Sequence, residues 1–167
     1  MFRVADWTFA ACVLLCAAHQ LPAQEVFTDK VPFKKGETME IRGYVYPGAG
    51  RFAINVGSSS SDLALHFNPR FYYYTTGGQN SIVMNSARGG SWGSEQQESH
   101  FPFKRGEKFT MSITHNGNSF GIKLPDDRVI SFPNRLGRDS YDHVSFDGEI
   151  RIFSIKAEVG GAGQASF

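Results

Sequence analysis

From Val26 onward, apolar and polar side chains alternate with a period of two, and this restricts the chain to β-structure. Met39, Ile41 and Val45 alternate with Glu40, Arg42 and Tyr44. Phe52, Ile54 and Val56 alternate with Ala53 and Asn55, and Leu63, Leu65 and Phe67 with Ala64, His66 and Asn68. Phe109, Met111 and Ile113 alternate with Thr110, Ser112 and Thr114. Phe120, Ile122 and Leu124 take up the pattern after His-Asn-Gly-Asn-Ser at 115–119, a turn-type segment that predicts a hairpin. Turn signals recur at Pro47-Gly48, Gly77-Gly78, Gly89-Gly90, Pro125-Asp126-Asp127 and Asp147-Gly148. No amphipathic helix of useful length follows the N-terminal segment. No repeat with a period of about 20–50 residues is present. Many short alternating strands between regular turns predict an all-β chain, an antiparallel sandwich or barrel. The 15 Phe, 6 Tyr and 18 Gly fit that class, since aromatics favour strands and glycines favour turns.

A chain of 167 residues is the length of one domain. Its 17 Lys+Arg against 16 Asp+Glu leave a formal charge of +1, which argues against a nucleic-acid partner, because such proteins carry a basic patch or stripe. The histidines at 19, 66, 100, 115 and 143 show no HxH or HExxH spacing, and there is no CxxC, so no metal or cofactor is expected. Asp126-Asp127 is the only acidic doublet and reads as a turn after Pro125 rather than as a calcium site.

The first 23 residues read as a signal peptide or an N-terminal extension. Trp7 to Ala18 is an uncharged run, too short to span a bilayer but of the right length for the apolar part of a secretory signal. Cleavage after Ala18 or Ala23 fits the small residues there. Arg3 is offset by Asp6, so only the terminal amine makes that end positive. The other reading is a stretch that packs on the domain or stays disordered. Cleavage would remove Cys12 and Cys16, leaving a thiol-free domain. Residues 159–167 are expected to form a mobile tail. An extracellular location follows, with a cytosolic pool if the segment is not cut. Membrane insertion is not expected.

The stretch most informative about function is Leu65-His66-Phe67-Asn68-Pro69-Arg70-Phe71. In a strand, His66, Asn68 and Arg70 share one face, while Leu65, Phe67 and Phe71 take the core side. Histidine donates or accepts, asparagine does both, and arginine only donates. That mixture suits a hydroxyl, which donates once and accepts twice. It also suits the ordinary wet face of an antiparallel sheet. Asn85 lies on the face opposite Met84, and a glycine turn then leads to Trp92-Gly93-Ser94-Glu95. A rim tryptophan offers an apolar platform for the C–H face of a sugar ring, and convergent polar groups take the hydroxyls. Equally, a lone Trp is often a core aromatic, and Glu95 could be a solvated carboxylate.

Taken together, these residues resemble the galectin family. Its pattern H-x-N-P-R, V-x-N, W-G-x-E-x-R appears here as His66-Phe-Asn68-Pro69-Arg70, Val83-Met-Asn85 and Trp92-Gly93-Ser94-Glu95-Gln96-Gln97. Phe101-Pro102-Phe103, Gly106-Glu107, Leu124-Pro125-Asp126 and Phe132-Pro133-Asn134-Arg135-Leu136 extend the likeness across residues 26–158, one carbohydrate-recognition domain of the prototype form. The resemblance implies a jelly-roll sandwich of two antiparallel sheets that binds β-galactosides of glycoproteins or glycolipids. It implies that His66, Asn68 and Arg70 take the axial 4-hydroxyl, that Asn85 and Glu95 take the 6-hydroxyl, and that Trp92 stacks on the ring. Arg70 and Glu95 would also reach the next sugar. An equatorial 4-hydroxyl would leave the row unpaired, at about 1–3 kcal/mol per buried polar group. The one departure is Gln97, where the family carries Arg. Glutamine keeps hydrogen bonding but loses the charge and the two-pronged fork, so an altered preference for the second sugar is expected. The family's prototype members pair into homodimers, and Val26-Phe27 and the 150–157 strand are the candidate interface.

Two competing classes remain. A glycoside hydrolase needs two carboxylates, about 5 Å or about 6.5–9.5 Å apart. Only Glu95 qualifies, although Asp62, four residues before His66, is expected on the same face towards the strand's start. No catalysis is expected. A galectin-like structural protein with lost or altered sugar binding would have lost residues of the motif, and here only position 97 has changed.

Overall fold

A computed structural model describes residues 26–71 and 80–159. The N-terminal segment with its two cysteines, the Gly77-Gly78 turn and the tail from residue 160 lie outside the described residues. Val159, assigned to the tail by sequence, instead ends the last strand, opposite Glu37.

Among the described residues the chain forms twelve strands and two antiparallel sheets. The first sheet holds β1 (Val26–Lys34), β11 (Ser140–Gly148), β3 (Phe52–Gly57), β4 (Leu63–Arg70), β5 (Ser81–Arg88) and β6 (Ser91–Trp92) in that order, with β7 (Gln96–Glu98) also paired to β5. The second runs β10 (Val129–Pro133), β9 (Ser119–Lys123), β8 (Lys108–His115), β2 (Glu37–Val45) and β12 (Ile150–Val159). The predicted hairpin joins β8 to β9, with Ile113 opposite Ile122. Both terminal strands, β1 and β12, lie at sheet edges.

The inner faces meet in one apolar core that follows the period-two pattern: Met39, Ile41, Val45, Ile54, Phe67, Met84, Ile113, Phe120 and Ile122 are all buried. At one end Phe52 stacks on Phe109 at 5.6 Å and meets Phe103 edge-on at 5.2 Å. Phe71 and Phe101 continue the cluster. Gly43 interrupts the apolar positions of β2 because it faces Phe109 across the ladder; a Cβ there would lie 2.7 Å from the ring. These aromatics support the inner side of β4, whose other side carries the polar row.

Strand β4 departs from simple alternation. Val56 pairs Leu65, but Gly57 pairs Leu63, so Ala64 is an extra residue, a β-bulge. Ala64 and Leu65 both join the core, and Leu63 moves to the outer face with His66. The bulge corrects two expectations: Leu63 does not share a face with Leu65, and Asp62 is not in line with His66. Asp62 precedes β4, and its carboxylate accepts hydrogen bonds from the Gly89 amide and the Ser59 hydroxyl.

Candidate functional site

Three rows of side chains cross the outer face of the first sheet. Ser145, Asn55, His66 and Asn85 are successive cross-strand neighbours on β11, β3, β4 and β5. Asn68, Val83 and Gln97 form the next row, on β4, β5 and β7. Arg51 pairs with Arg70, which faces Ser81. Trp92 on β6 lies opposite Ala87. His66, Asn68, Arg70, Asn85, Trp92 and Glu95 line one cleft of about 590 Å³, with Arg51, Gly93 and Asp147. The sequence thus named six residues that the fold brings together. Gln97 is exposed on β7 and does not line the cleft.

Each polar side chain spends part of its hydrogen-bonding capacity on the protein. His66 Nδ1 lies 2.6 Å from Asn55 Oδ1, and Asn55 Nδ2 donates to Ser145 Oγ at 3.1 Å. With the Asn55 oxygen facing it, Nδ1 carries the proton, and Nε2 is left as the acceptor. Burial, followed by the charges of Arg70 and Arg51, lowers the His66 pKa from 6.5 to about 4, so the ring is neutral near pH 7. Asn68 is almost fully buried; its Nδ2 donates to Phe52 O at 2.6 Å and its Oδ1 accepts from Arg70 Nε at 2.8 Å. Arg70 faces Glu95 at 3.6 Å. The cleft therefore presents a neutral acceptor, His66 Nε2, beside the remaining N–H groups of a fixed guanidinium.

Asn85 is 4% exposed, and its Nδ2 donates to Gly93 O at 2.9 Å while its Oδ1 accepts from the Ser86 amide. Trp92 is the opposite case: it is 55% exposed, so it is not a core residue. Its ring lies 4.8 Å from the His66 ring, centroid to centroid, and is tilted 58° to it. An exposed indole bordering a row of buried polar groups is an apolar wall for a polar ligand.

The sequence missed Arg51, Asn55, Asp147 and Ser145. Arg51 and Asp147 form an ion pair at 3.3 Å on the cleft's border. An adjoining hollow of about 790 Å³ shares His66, Trp92 and Asp147 with the cleft and continues over Asn55, Ser145 and Ser58 to Ser60. Only cross-strand register, set by pairing of residues some 90 positions apart, brings β11 to β3. The cleft's two carboxylates, Glu95 and Asp147, each face an arginine. Among the described residues no group of three or more His, Cys, Asp or Glu could hold a metal ion.

Comparison with known proteins gives a consistent picture. The profile of the galactoside-binding lectin family matches residues 25–157. A β-galactoside-binding lectin of Electrophorus electricus is 47% identical over 131 residues, covering 78% of this chain and 95% of the relative. Galectin-1 of Sus scrofa is 44% identical over 125 residues, 75% of this chain and 91% of that protein. The solved structure of CG-16, a homodimeric agglutinin from chicken liver, superposes with a TM-score of 0.75 at 33% identity, covering 81% of this chain and all of that one.

Proposed function

The chain belongs to the galectins, the galactoside-binding lectins, and from that premise we propose how its cleft holds the sugar. It is a β-galactoside-binding lectin and not an enzyme. In our reading the axial 4-hydroxyl donates to His66 Nε2 and accepts from Arg70 and Asn68. The second N–H of Asn85 and the Glu95 carboxylate take the 6-hydroxyl, and Trp92 covers the apolar face of the ring. The observation that carries this is the Asn55–His66 hydrogen bond, which turns the histidine into an acceptor beside a guanidinium donor. A hydroxyl satisfies that pair, whereas a ligand without one there leaves both groups desolvated and unpaired.

Retention on an immobilised galactoside, with elution by free galactoside, tests the assignment. The matching glucoside, whose 4-hydroxyl is equatorial, should not retain the protein. Equal retention on both resins would overturn it. Gln97 lies outside the cleft but on the same face, next to Val83, which suits a contact with a second sugar rather than with galactose.

We also propose that the lectin acts outside the cell as a homodimer joined through β1 and β12. Both are edge strands, and their unpaired backbone groups are available to a second copy. The homodimeric state of CG-16 is consistent with this. Two sites per dimer would crosslink glycans and give avidity. Sedimentation showing only a monomer would remove the dimer. For the location, N-terminal sequencing of secreted protein should read from His19 or Gln24; a start at Met1 would show that the segment is retained.

A further inference from the structure

Resting on that reading of the cleft, we propose that Arg135 is a positioning residue for the 6-hydroxyl end of the site, acting from the opposite side of the Trp92 loop. Arg135 follows β10 and belongs to the second sheet's connection to β11. It does not line the sugar cleft. It borders a neighbouring hollow of about 400 Å³ that shares Trp92 and Gly93 with the cleft.

One terminal nitrogen of Arg135 reaches three acceptors on the hairpin that carries the site. It donates to Ser94 O at 2.8 Å, and it lies 3.4 Å from Ser86 Oγ and 3.5 Å from Asn85 Oδ1. Asn85 Oδ1 also accepts from the Ser86 amide, so two donors hold the amide oxygen away from the cleft and turn Nδ2 towards Gly93 O and the sugar. Ser94 immediately precedes Glu95, so the shortest of these bonds fixes the backbone from which that carboxylate projects. The guanidinium also lies over the Phe132 ring, 4.8 Å from its centroid.

The loop bearing Arg135 is itself anchored. Tyr141 Oη donates to Asn134 Oδ1, and Asn134 Nδ2 donates to Gly117 O at 2.7 Å and to Arg138 O at 3.0 Å. From the other side, Gly93 lets the guanidinium approach; a Cβ there would lie 3.2 Å from the same nitrogen. A fixed loop thus presents one charged donor to the two segments that hold Asn85 and Glu95. A residue whose acceptors are Asn85 Oδ1, Ser86 Oγ and Ser94 O acts first on the 6-hydroxyl end, and it reaches the His66–Asn68–Arg70 row only through the Arg70–Glu95 pair.

The test is Arg135→Met, which keeps the stem over Phe132 and removes the donors, with Arg135→Lys as the charge-preserving variant. A β-galactoside and its 6-deoxy analogue are titrated into each full-length protein by calorimetry, and the melting temperature is recorded. Arg135→Met should weaken the galactoside about tenfold, the weight of a hydrogen bond to a charged group. It should leave the 6-deoxy analogue within about twofold, so the wild-type preference between the two collapses; Arg135→Lys falls between. A preserved preference, or equal losses on both ligands in a variant that melts normally, overturns the proposal. If Arg135→Met does not fold, Arg135→Lys gives the same reading as a smaller loss on the galactoside that the 6-deoxy analogue does not share; equal changes on both ligands overturn the proposal. Wild-type protein that fails to prefer galactoside over glucoside overturns the underlying reading of the cleft, and this proposal with it.

Discussion

Galactoside binding should be insensitive to pH from 7.5 down to about 5 and should then fall with a midpoint near 4. The perturbation is protonation of His66 Nε2. In the folded protein burial, with Arg70 and Arg51 adding to it, lowers the pKa from 6.5 to about 4. The neutral ring accepts the 4-hydroxyl, while the protonated ring offers a second donor and a third positive charge next to two guanidiniums. With the pKa near 4, about 97% of the molecules still hold a neutral ring at pH 5.5, so affinity is unchanged there. An ordinary histidine would be only about 9% neutral at that pH, and affinity would drop roughly elevenfold. Affinity measured calorimetrically at half-unit steps from pH 7.5 to 4.5 separates the two cases. Circular dichroism at each pH keeps unfolding out of the measurement. His100 pairs with Asp126 and His115 is enclosed by Phe33, Phe120 and Tyr141, both away from the cleft, so neither should shape the curve. An ordinary histidine gives about an eightfold fall between pH 7 and 5.5, so a fall of about fivefold or more over that interval in folded protein would refute the reasoning. The same shift has a sign for stability. The unfolded chain binds a proton below about pH 6.5 that the folded chain refuses until about 4, so His66 makes stability fall as pH drops through that window.

Asn55→Asp places a carboxylate against His66 Nδ1, favours the protonated ring and raises its pKa; binding by the variant should decline between pH 7 and 5.5, and a profile identical to wild type would refute it. Gly43→Ala drives a Cβ to 2.7 Å from the Phe109 ring and should cost about 1–3 kcal/mol in urea unfolding, with galactoside affinity unchanged. Gln97→Arg should alter the ranking of disaccharides that differ in the sugar next to galactose, with galactose itself bound as before; an unchanged ranking would make the position irrelevant.

The strands were legible because a half-buried sheet repeats every two residues, and Ile41, Ile54, Phe67, Ile113 and Ile122 obey that rule without exception. The rule failed at Leu63. Ala64 is small and apolar, so nothing in the sequence marks it as the extra residue of a bulge. The six residues that meet in the cleft were legible because they lie within three short motifs, and one strand, one partner strand and one turn present them. Arg51, Asn55, Ser145 and Asp147 were not legible. They reach the site through β3 and β11, and the pairing of Asn55 with Ser145 spans 90 residues. The role of Asn55 depends on one hydrogen bond to a ring nitrogen, which no spacing encodes. Gln97 shows the converse limit, since a motif position two residues after Glu95 falls on β7 and beyond the cleft.

The outer face of this sheet is not the wet surface that alternation alone suggests. Asn68 is 2% exposed, Val83 1% and Asn85 4%, as buried as much of the core. Desolvated amides are tolerated there because each has a fixed partner: Phe52 O for Asn68, Gly93 O for Asn85. Those partners leave each amide nitrogen one further N–H for a ligand, on side chains that both line the cleft. Binding then orders few side chains, which lowers the entropic cost of association. Discrimination follows from the same burial, because a sugar that misplaces one hydroxyl leaves a polar group that water cannot reach. The two carboxylates fit this logic. Glu95 and Asp147 face arginines, so they hold a guanidinium in place for a neutral ligand instead of flanking a bond to be broken. A cleft whose polar atoms are all held in place by the protein is built to recognise hydroxyl geometry, and the aromatic cluster of Phe52, Phe67, Phe103 and Phe109 beneath β4 supplies the rigidity it requires.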